Sequence, residues 1–310
     1  MRLSTSEAAH LLNNSHVVAI PTETVYGLAA SLRHLTAIEN VFTLKGRPAN
    51  NPLIIHLSHA DQLSVYVHEL PAGFELLAKA FWPGPMTLVL PIDENTIPEK
   101  VCAGLSTAAF RIPQHPVARE VIELTGPLVM PSANLSGRPS ATSAGHVEED
   151  FGIDFPVVDG GLCARGLEST ILIYKDGRWC IIRQGALPAE AFQPVLGYLP
   201  TVEGVNSKAP LCPGQLYRHY APKARLHLIK DLSLVDGVVL GYVEHGHRYP
   251  SRASLVVLGS LAAPEQVAES LYKALRQLDT DGVSEAWVDI DVPEDGLWKT
   301  ILERLTKAAQ

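Results

Sequence analysis

Apolar residues in this chain gather in short runs punctuated by Pro and Gly, with polar stretches between them. Short buried-looking runs alternating with helical segments read as an α/β protein with functional loops. Ser4-x-x-Glu7 and Thr36-x-x-Glu39 have the form of capping boxes and predict two helix starts. The first helix leads into a strand over 16–20. The second runs to Lys45, where Gly46 ends it and Pro48 forbids continuation. Further strands are expected over 53–57, 86–90, 107–112 and 128–130, and helices around 74–81 and 117–124. Runs over 169–174 and 178–183 flank Lys175-Asp176-Gly177, which predicts a β-hairpin. After a helix near 189–196 the pattern dissolves over 200–222, too long for an ordinary connection. Beyond it, strands over 226–229, 238–242, 255–258 and 286–290 alternate with helices over 264–278 and 294–308. That is the pattern of a small Rossmann-like unit with a parallel sheet. The expected division is residues 1–205, a linker over 206–225, and 226–310.

Composition narrows the function. The 310 residues are 46% hydrophobic and 19% charged, enough apolar material for a substantial core. A net charge of −8 argues against coating nucleic acid or anionic membrane, either of which needs excess cations. No apolar run approaches the roughly 18–20 residues that span a bilayer. The amino-terminal segment lacks the apolar core of a secretory signal. Cys102, Cys163, Cys180 and Cys212 are scattered with no C-x-x-C pair, so a cytoplasmic location is expected. The charge is uneven: residues 1–205 carry net −7, 206–225 net +4 and 226–310 net −5. The linker is thus the one basic stretch, either as a solvated connection or as part of a site.

The P-loop, G-x-G-x-x-G, G-x-S-x-G and H-E-x-x-H signatures are all absent. Four segments instead place polar groups at or after a short strand: Thr22-Glu23-Thr24 after Ile20, His56 after Ile55, Arg111 after Phe110, and Ser132-Ala133-Asn134 after Met130. Ligands in open α/β sheets bind beyond strand carboxyl ends, so these four ends are expected to line one crevice. In an extended Lys45-Gly46-Arg47, both cations face one anion; a basic helix end complementing the macrodipole is the plainer account. Arg111, close to apolar neighbours, needs either an internal carboxylate or one supplied by substrate. A lone strand histidine such as His56 is more often a satisfied core residue than a ligand, and the plainest role of Ser132 and Asn134 is to cap the following segment. His245-x-His247 has metal-ligand spacing but no evident third ligand.

Together these segments resemble the threonylcarbamoyl-AMP synthase family, the YrdC-like proteins, in the long form with a second carboxy-terminal domain. The resemblance runs through 21–28, 45–48, 51–56, 82–87, 111–113, 131–137, 168–170 and 182–185, and through the linker over 213–222. It implies a twisted mixed-sheet amino-terminal domain, a long linker and a small Rossmann-like domain. It also implies a reaction in which L-threonine, bicarbonate and ATP give threonylcarbamoyl-adenylate, pyrophosphate and water. A downstream tRNA threonylcarbamoyl transferase would consume the product, for tRNAs reading codons that begin with A. By resemblance, threonine falls to Thr24, His56, Arg111 and Ser169. ATP falls to Lys45, Arg47, Asn51, Thr107, Ser132, Asn134, Ser140 and Arg183, with Mg²⁺ on its phosphates and no organic cofactor. Tyr217, His219 and Tyr220 look like a lid. The rivals are a structured-RNA-binding module and a carbamoyl transferase akin to hydrogenase-maturation proteins. The acidic amino-terminal region disfavours the first, and stable tRNA binding is not expected.

Overall fold

Ser4 caps the first helix reciprocally: its Oγ accepts from the Glu7 N–H, and Glu7 accepts from the Ser4 N–H at 2.8 Å. The computed structural model describes residues 1–48, 50–93, 95–203, 219–231, 233 and 235–310. Strand β1 (Arg2–Leu3) precedes this helix, α1 (Thr5–Asn13). There follow β2 (Val18–Ile20), β3 (Gly27–Ser31), α2 (Leu35–Lys45), β4 (Ile54–His56), α3 (Phe74–Phe81) and β5 (Met86–Pro91). Next come α4 (Glu99–Cys102), β6 (Thr107–Arg111), α5 (Pro116–Thr125), β7 (Leu128–Val129), α6 (Ala144–Phe151) and β8 (Val157–Val158). A hairpin of β9 (Thr170–Lys175) and β10 (Arg178–Arg183) and a short α7 (Gln193–Leu196) complete this part.

Most of these elements lie where the hydrophobic pattern puts them. The second capping box does not form. His34 is the N-cap of α2 and Thr36 already lies in its first turn, while Gly46 ends the helix in the left-handed region at φ 61°. The hairpin turn places Asp176 at φ 49° and Gly177 at φ 79°, the paired positive values that suit the twist of tight hairpins. Strand β3 escapes the pattern because Gly-Leu-Ala-Ala-Ser contains no β-branched or aromatic residue. Antiparallel partners on both sides hold it as a strand.

Ten strands form one mixed sheet in the order β1-β8-β2-β3-β7-β4-β6-β5-β9-β10. Side chains alternate across it. Ile55, Leu88, Phe110 and Leu172 point into the main core, whereas Ile54, Val89, Ala109 and Ile171 form a smaller apolar cluster on the opposite face.

The carboxy-terminal part holds β11 (Arg225–Ile229), β12 (Val238–Tyr242), β13 (Ser254–Gly259), α8 (Pro264–Thr280), β14 (Glu285–Asp289) and α9 (Gly296–Ala308). Its strands run in the order β11-β14-β12-β13, every pair parallel, as the Rossmann-like expectation requires. Leu271 and Leu275 of α8 and Ile301 and Leu305 of α9 pack with Leu226, Leu240 and Val288 in one core. Among the described residues no helix is long and apolar enough to cross a membrane.

Candidate active site

In a mixed sheet the carboxyl ends of the strands do not share an edge, yet the four segments line one cavity, as expected, reaching it from different ends of their strands. His56 at the end of β4 pairs with Leu128, the first residue of β7, whereas Ser132 lies beyond the other end of β7 beside Gly27. The polar groups converge on a face of the sheet instead. Ile54 pairs with Ala109 and His56 with Arg111, so alternation turns all four to one side. A partly open cavity lies there.

Thr24, His56, Arg111 and Ser169 all line this cavity. So do Arg47, Ser132, Asn134, Ser140, Arg183, His219 and Tyr220. Lys45, Asn51 and Thr107 are not among the lining residues. Thr107 opens β6 while Arg111 ends it, a separation of about 13 Å along a strand rising roughly 3.3 Å per residue. Tyr217 lies outside the described residues.

Arg111 has an internal partner. Its Nη2 donates to Glu23 at 2.6 Å and its Nε to the Gly84 carbonyl at 3.3 Å, while Glu23 also accepts from the Gln114 N–H. Both side chains of the pair are at least 93% buried, at 5% and 7% exposure. Among the described residues no bond to Nη1 is seen, which leaves both of its N–H donors uncommitted. His56 donates from Nδ1 to the Ile54 carbonyl at 3.1 Å, which leaves Nε2 as an acceptor. Burial, and next the charge of Arg111, hold its pKa well below 6.5, so the ring is neutral at physiological pH.

The cations near 45–47 are arranged differently from the extended expectation. Lys45 is the last helical residue and Gly46 is left-handed, so Lys45 and Arg47 do not share a strand face. The Lys45 ammonium is buried and donates to the Ser132 and Asn134 carbonyls at 2.5 and 2.6 Å. Burial, and then Arg47, lower its pKa to about 7. Its position ties the end of α2 to the segment that forms a wall of the cavity. Arg47 reaches that cavity while donating to the Asn51 and Pro52 carbonyls. Asn134 does not cap a helix: its amide nitrogen holds the Leu135 and Arg138 carbonyls, and its buried Oδ1 has no partner.

Arg183 secures Ser169, donating to its carbonyl from Nη2 at 2.8 Å and from Nε at 3.2 Å, and to its Oγ at 3.1 Å. The Ser169 hydroxyl also shares a 2.7 Å bond with Thr87. Residue-level reading missed Glu168, the one carboxylate lining the cavity among the described residues. Its signal was its place beside Ser169 in the 168–170 segment that carries the family resemblance. The carboxylate accepts from the Ser140 hydroxyl at 2.6 Å, the Tyr272 hydroxyl at 3.0 Å and Arg304 Nε at 3.1 Å. Burial pushes its pKa up, but Arg304, Arg183 and the Ser140 hydroxyl outweigh burial and leave it lowered. His219 is held at about 4, by burial first and then by Arg47.

The donor set suits an anion more than a bare cation. Glu168 is committed to three donors, and the described residues contain no group of three or more His, Cys, Asp or Glu placed to hold a metal. His245, raised by the His-x-His spacing, bonds Asp289 at 2.8 Å in the carboxy-terminal unit.

Residues 10–185 match a family model described as telomere recombination, and residues 187–310 one described as threonylcarbamoyl-AMP synthase, C-terminal domain. The chain is 39% identical to the threonylcarbamoyl-AMP synthase of Pyrococcus abyssi, over 97% of this chain and 93% of the relative. It is 37% identical to that of Bacillus subtilis, over 98% and 92%. The crystal structure of P. abyssi Sua5 complexed with L-threonine superposes with a TM-score of 0.88 at 37% identity, covering 100% of this chain and 96% of that one. Full-length HypF, in its phosphate- and nucleotide-bound form, reaches a TM-score of 0.51 at 18% identity over 58% of this chain and 29% of that one, a likeness of fold alone.

Proposed function

The chain belongs to the threonylcarbamoyl-AMP synthase family, and from that premise we propose that its cavity joins L-threonine, bicarbonate and ATP into threonylcarbamoyl-adenylate. Pyrophosphate and water are the other products, and the adenylate serves threonylcarbamoyladenosine formation in tRNA through a separate transferase. The observation that carries this reading is the convergence of Arg111, His56, Thr24 and Ser169 with Arg47 and Arg183 on one sheet face.

The chemistry asks little of an acid or base. Threonine's amine and bicarbonate give a carbamate with loss of water. The carbamate is already an anion, and its oxygen attacks the α-phosphorus as the bond to pyrophosphate breaks. Orientation and charge stabilisation then do most of the work. Arg111 Nη1 takes the threonine carboxylate, with Glu23 and Gly84 fixing the guanidinium plane. Neutral His56, Thr24 and Ser169 set the position of threonine. Arg47, Arg183, Ser132, Ser140 and the unpartnered Asn134 Oδ1 face the nucleotide. Lys45 supports that wall through the Ser132 and Asn134 carbonyls, while Asn51 and Thr107, outside the lining, take no direct part. Mg²⁺ travels on the ATP phosphates rather than in a protein cage. His219 and Tyr220 close over the nucleotide as a lid, a role the family resemblance also gives to Tyr217. The division into 1–205, 206–225 and 226–310 follows this assignment of catalytic domain, lid and second domain.

Pyrophosphate release from ATP tests the reading. It is expected only when threonine and bicarbonate are both present. Release indifferent to either would overturn it.

A further inference from the structure

The carboxy-terminal unit reaches the cavity through two buried side chains. Arg304 of α9 is fully buried, and Tyr272 of α8 likewise. Both bond the Glu168 carboxylate. Arg304 also donates from Nη2 to the Gln184 carbonyl at 2.7 Å, directly after Arg183, and Thr300 donates to the Gly185 carbonyl at 3.2 Å. At this point the two segments that carry Ser169 and Arg183 press together. A Cβ on Gly185 would stand 2.4 Å from the Glu168 carbonyl oxygen and 2.5 Å from the Thr170 nitrogen. One helix of the second unit therefore grips both segments where they touch.

The same pair seats Tyr220. Its ring stacks on Tyr272 at 5.3 Å between centroids, and the Arg304 guanidinium lies over the same Tyr220 ring, 4.9 Å from its centre. Tyr220 has φ 65°, a left-handed conformation unfavourable for a bulky residue, which persists only where the surroundings enforce it. The charges carry the same message. A carboxylate lining a cavity that takes an anionic nucleotide would repel it and draw Arg183 away, unless a cation outside the cavity neutralised it. Arg304 supplies that cation from behind the wall.

We propose that Arg304, assisted by Tyr272, is a positioning residue of the synthase site delivered by the carboxy-terminal unit: it neutralises Glu168, fixes the Ser169 and Arg183 segments and seats Tyr220 over the nucleotide. This rests on the assignment of the cavity to ATP and threonine. The carboxy-terminal unit thereby completes the site without touching the reacting atoms.

The test measures the ATP dissociation constant, with threonine present, by titration calorimetry at pH 8 and pH 6, beside pyrophosphate release. Arg304→Gln is expected to weaken ATP binding at least tenfold at pH 8. The defect should shrink at pH 6, because Glu168 without its partner takes a proton and so loses the repelling charge. Glu168→Gln in the same chain should restore most of the affinity. Tyr272→Phe keeps the ring stack and the volume, removes one donor to Glu168, and is expected to weaken binding several-fold; it serves if Arg304→Gln does not fold. Wild-type ATP affinity in a folded Arg304→Gln, an equal defect at both pH values, or no recovery in the double variant would overturn the proposal. With Arg304→Gln unfolded, wild-type affinity in Tyr272→Phe would do so. Wild-type protein that binds ATP but releases no pyrophosphate would overturn the activity instead, and the affinities would still decide the role of Arg304.

Discussion

Arg111 shows how a single residue can satisfy two readings at once. The internal carboxylate it needed is Glu23, at 2.6 Å, yet it still lines the cavity. Arg111→Ala would therefore act twice. Stranding a buried Glu23 is expected to cost about 3 kcal/mol of unfolding free energy. Losing a charged bond to the substrate carboxylate should raise the KM for threonine about 10- to 100-fold. Urea unfolding and steady-state kinetics separate the two, and an unchanged KM would remove Arg111 from threonine binding. His146 gives a pH signature away from the chemistry. Its Nδ1 accepts the Thr142 N–H, and burial, followed by Arg276, lowers its pKa to about 4. The unfolded chain binds a proton there below about pH 6.5 that the folded chain refuses. Its contribution is complete above pH 6.5 and is lost as pH falls through about 4, by up to about 1.4 kcal/mol per pH unit. Denaturation at pH 7 and pH 5 should show a smaller acid loss in His146→Gln than in wild type.

At the scale of elements, glycines mark what local pattern can and cannot reveal. Asp176-Gly177 announces its hairpin, because positive φ at both turn positions is a local demand. A Cβ on Gly177 would meet nothing within 4 Å, so Gly177→Ala should cost only the left-handed backbone, about 1–2 kcal/mol. Gly185 has no such local sign, since its constraint is the opposing Glu168–Thr170 backbone. Gly185→Ala must move that backbone, and should cost about 1–3 kcal/mol while reducing pyrophosphate release far more than Gly177→Ala does. Equal activity loss in the two would contradict this contrast. The same division explains β3, whose small residues become a strand only through their partners, and α2, whose start is set at His34 despite the Thr36-x-x-Glu39 pattern.

At the scale of the molecule, charged side chains lock the two units together. Arg276 of α8, nearly fully buried, bonds Asp150 and Glu149 of α6 and the Pro139 carbonyl, while Arg138 also pairs with Asp150 at 2.5 Å. Arg276→Met should lower stability by about 3 kcal/mol and resolve one calorimetric transition into two; a single transition at the wild-type temperature would show that the lock is unimportant. Element types and the parallel carboxy-terminal sheet were legible in the chain, because alternation, caps and turn residues act over a few positions, and the motifs named most of the residues that line the cavity. The motifs also identified the family. Strand order, the sheet face that carries the site and the reach of Arg304 and Tyr272 to Glu168 were not legible. They depend on contacts between residues more than a hundred positions apart, and only packing decides those: the pleat fixes which residues share a face, but partners across the fold determine which face meets the second unit.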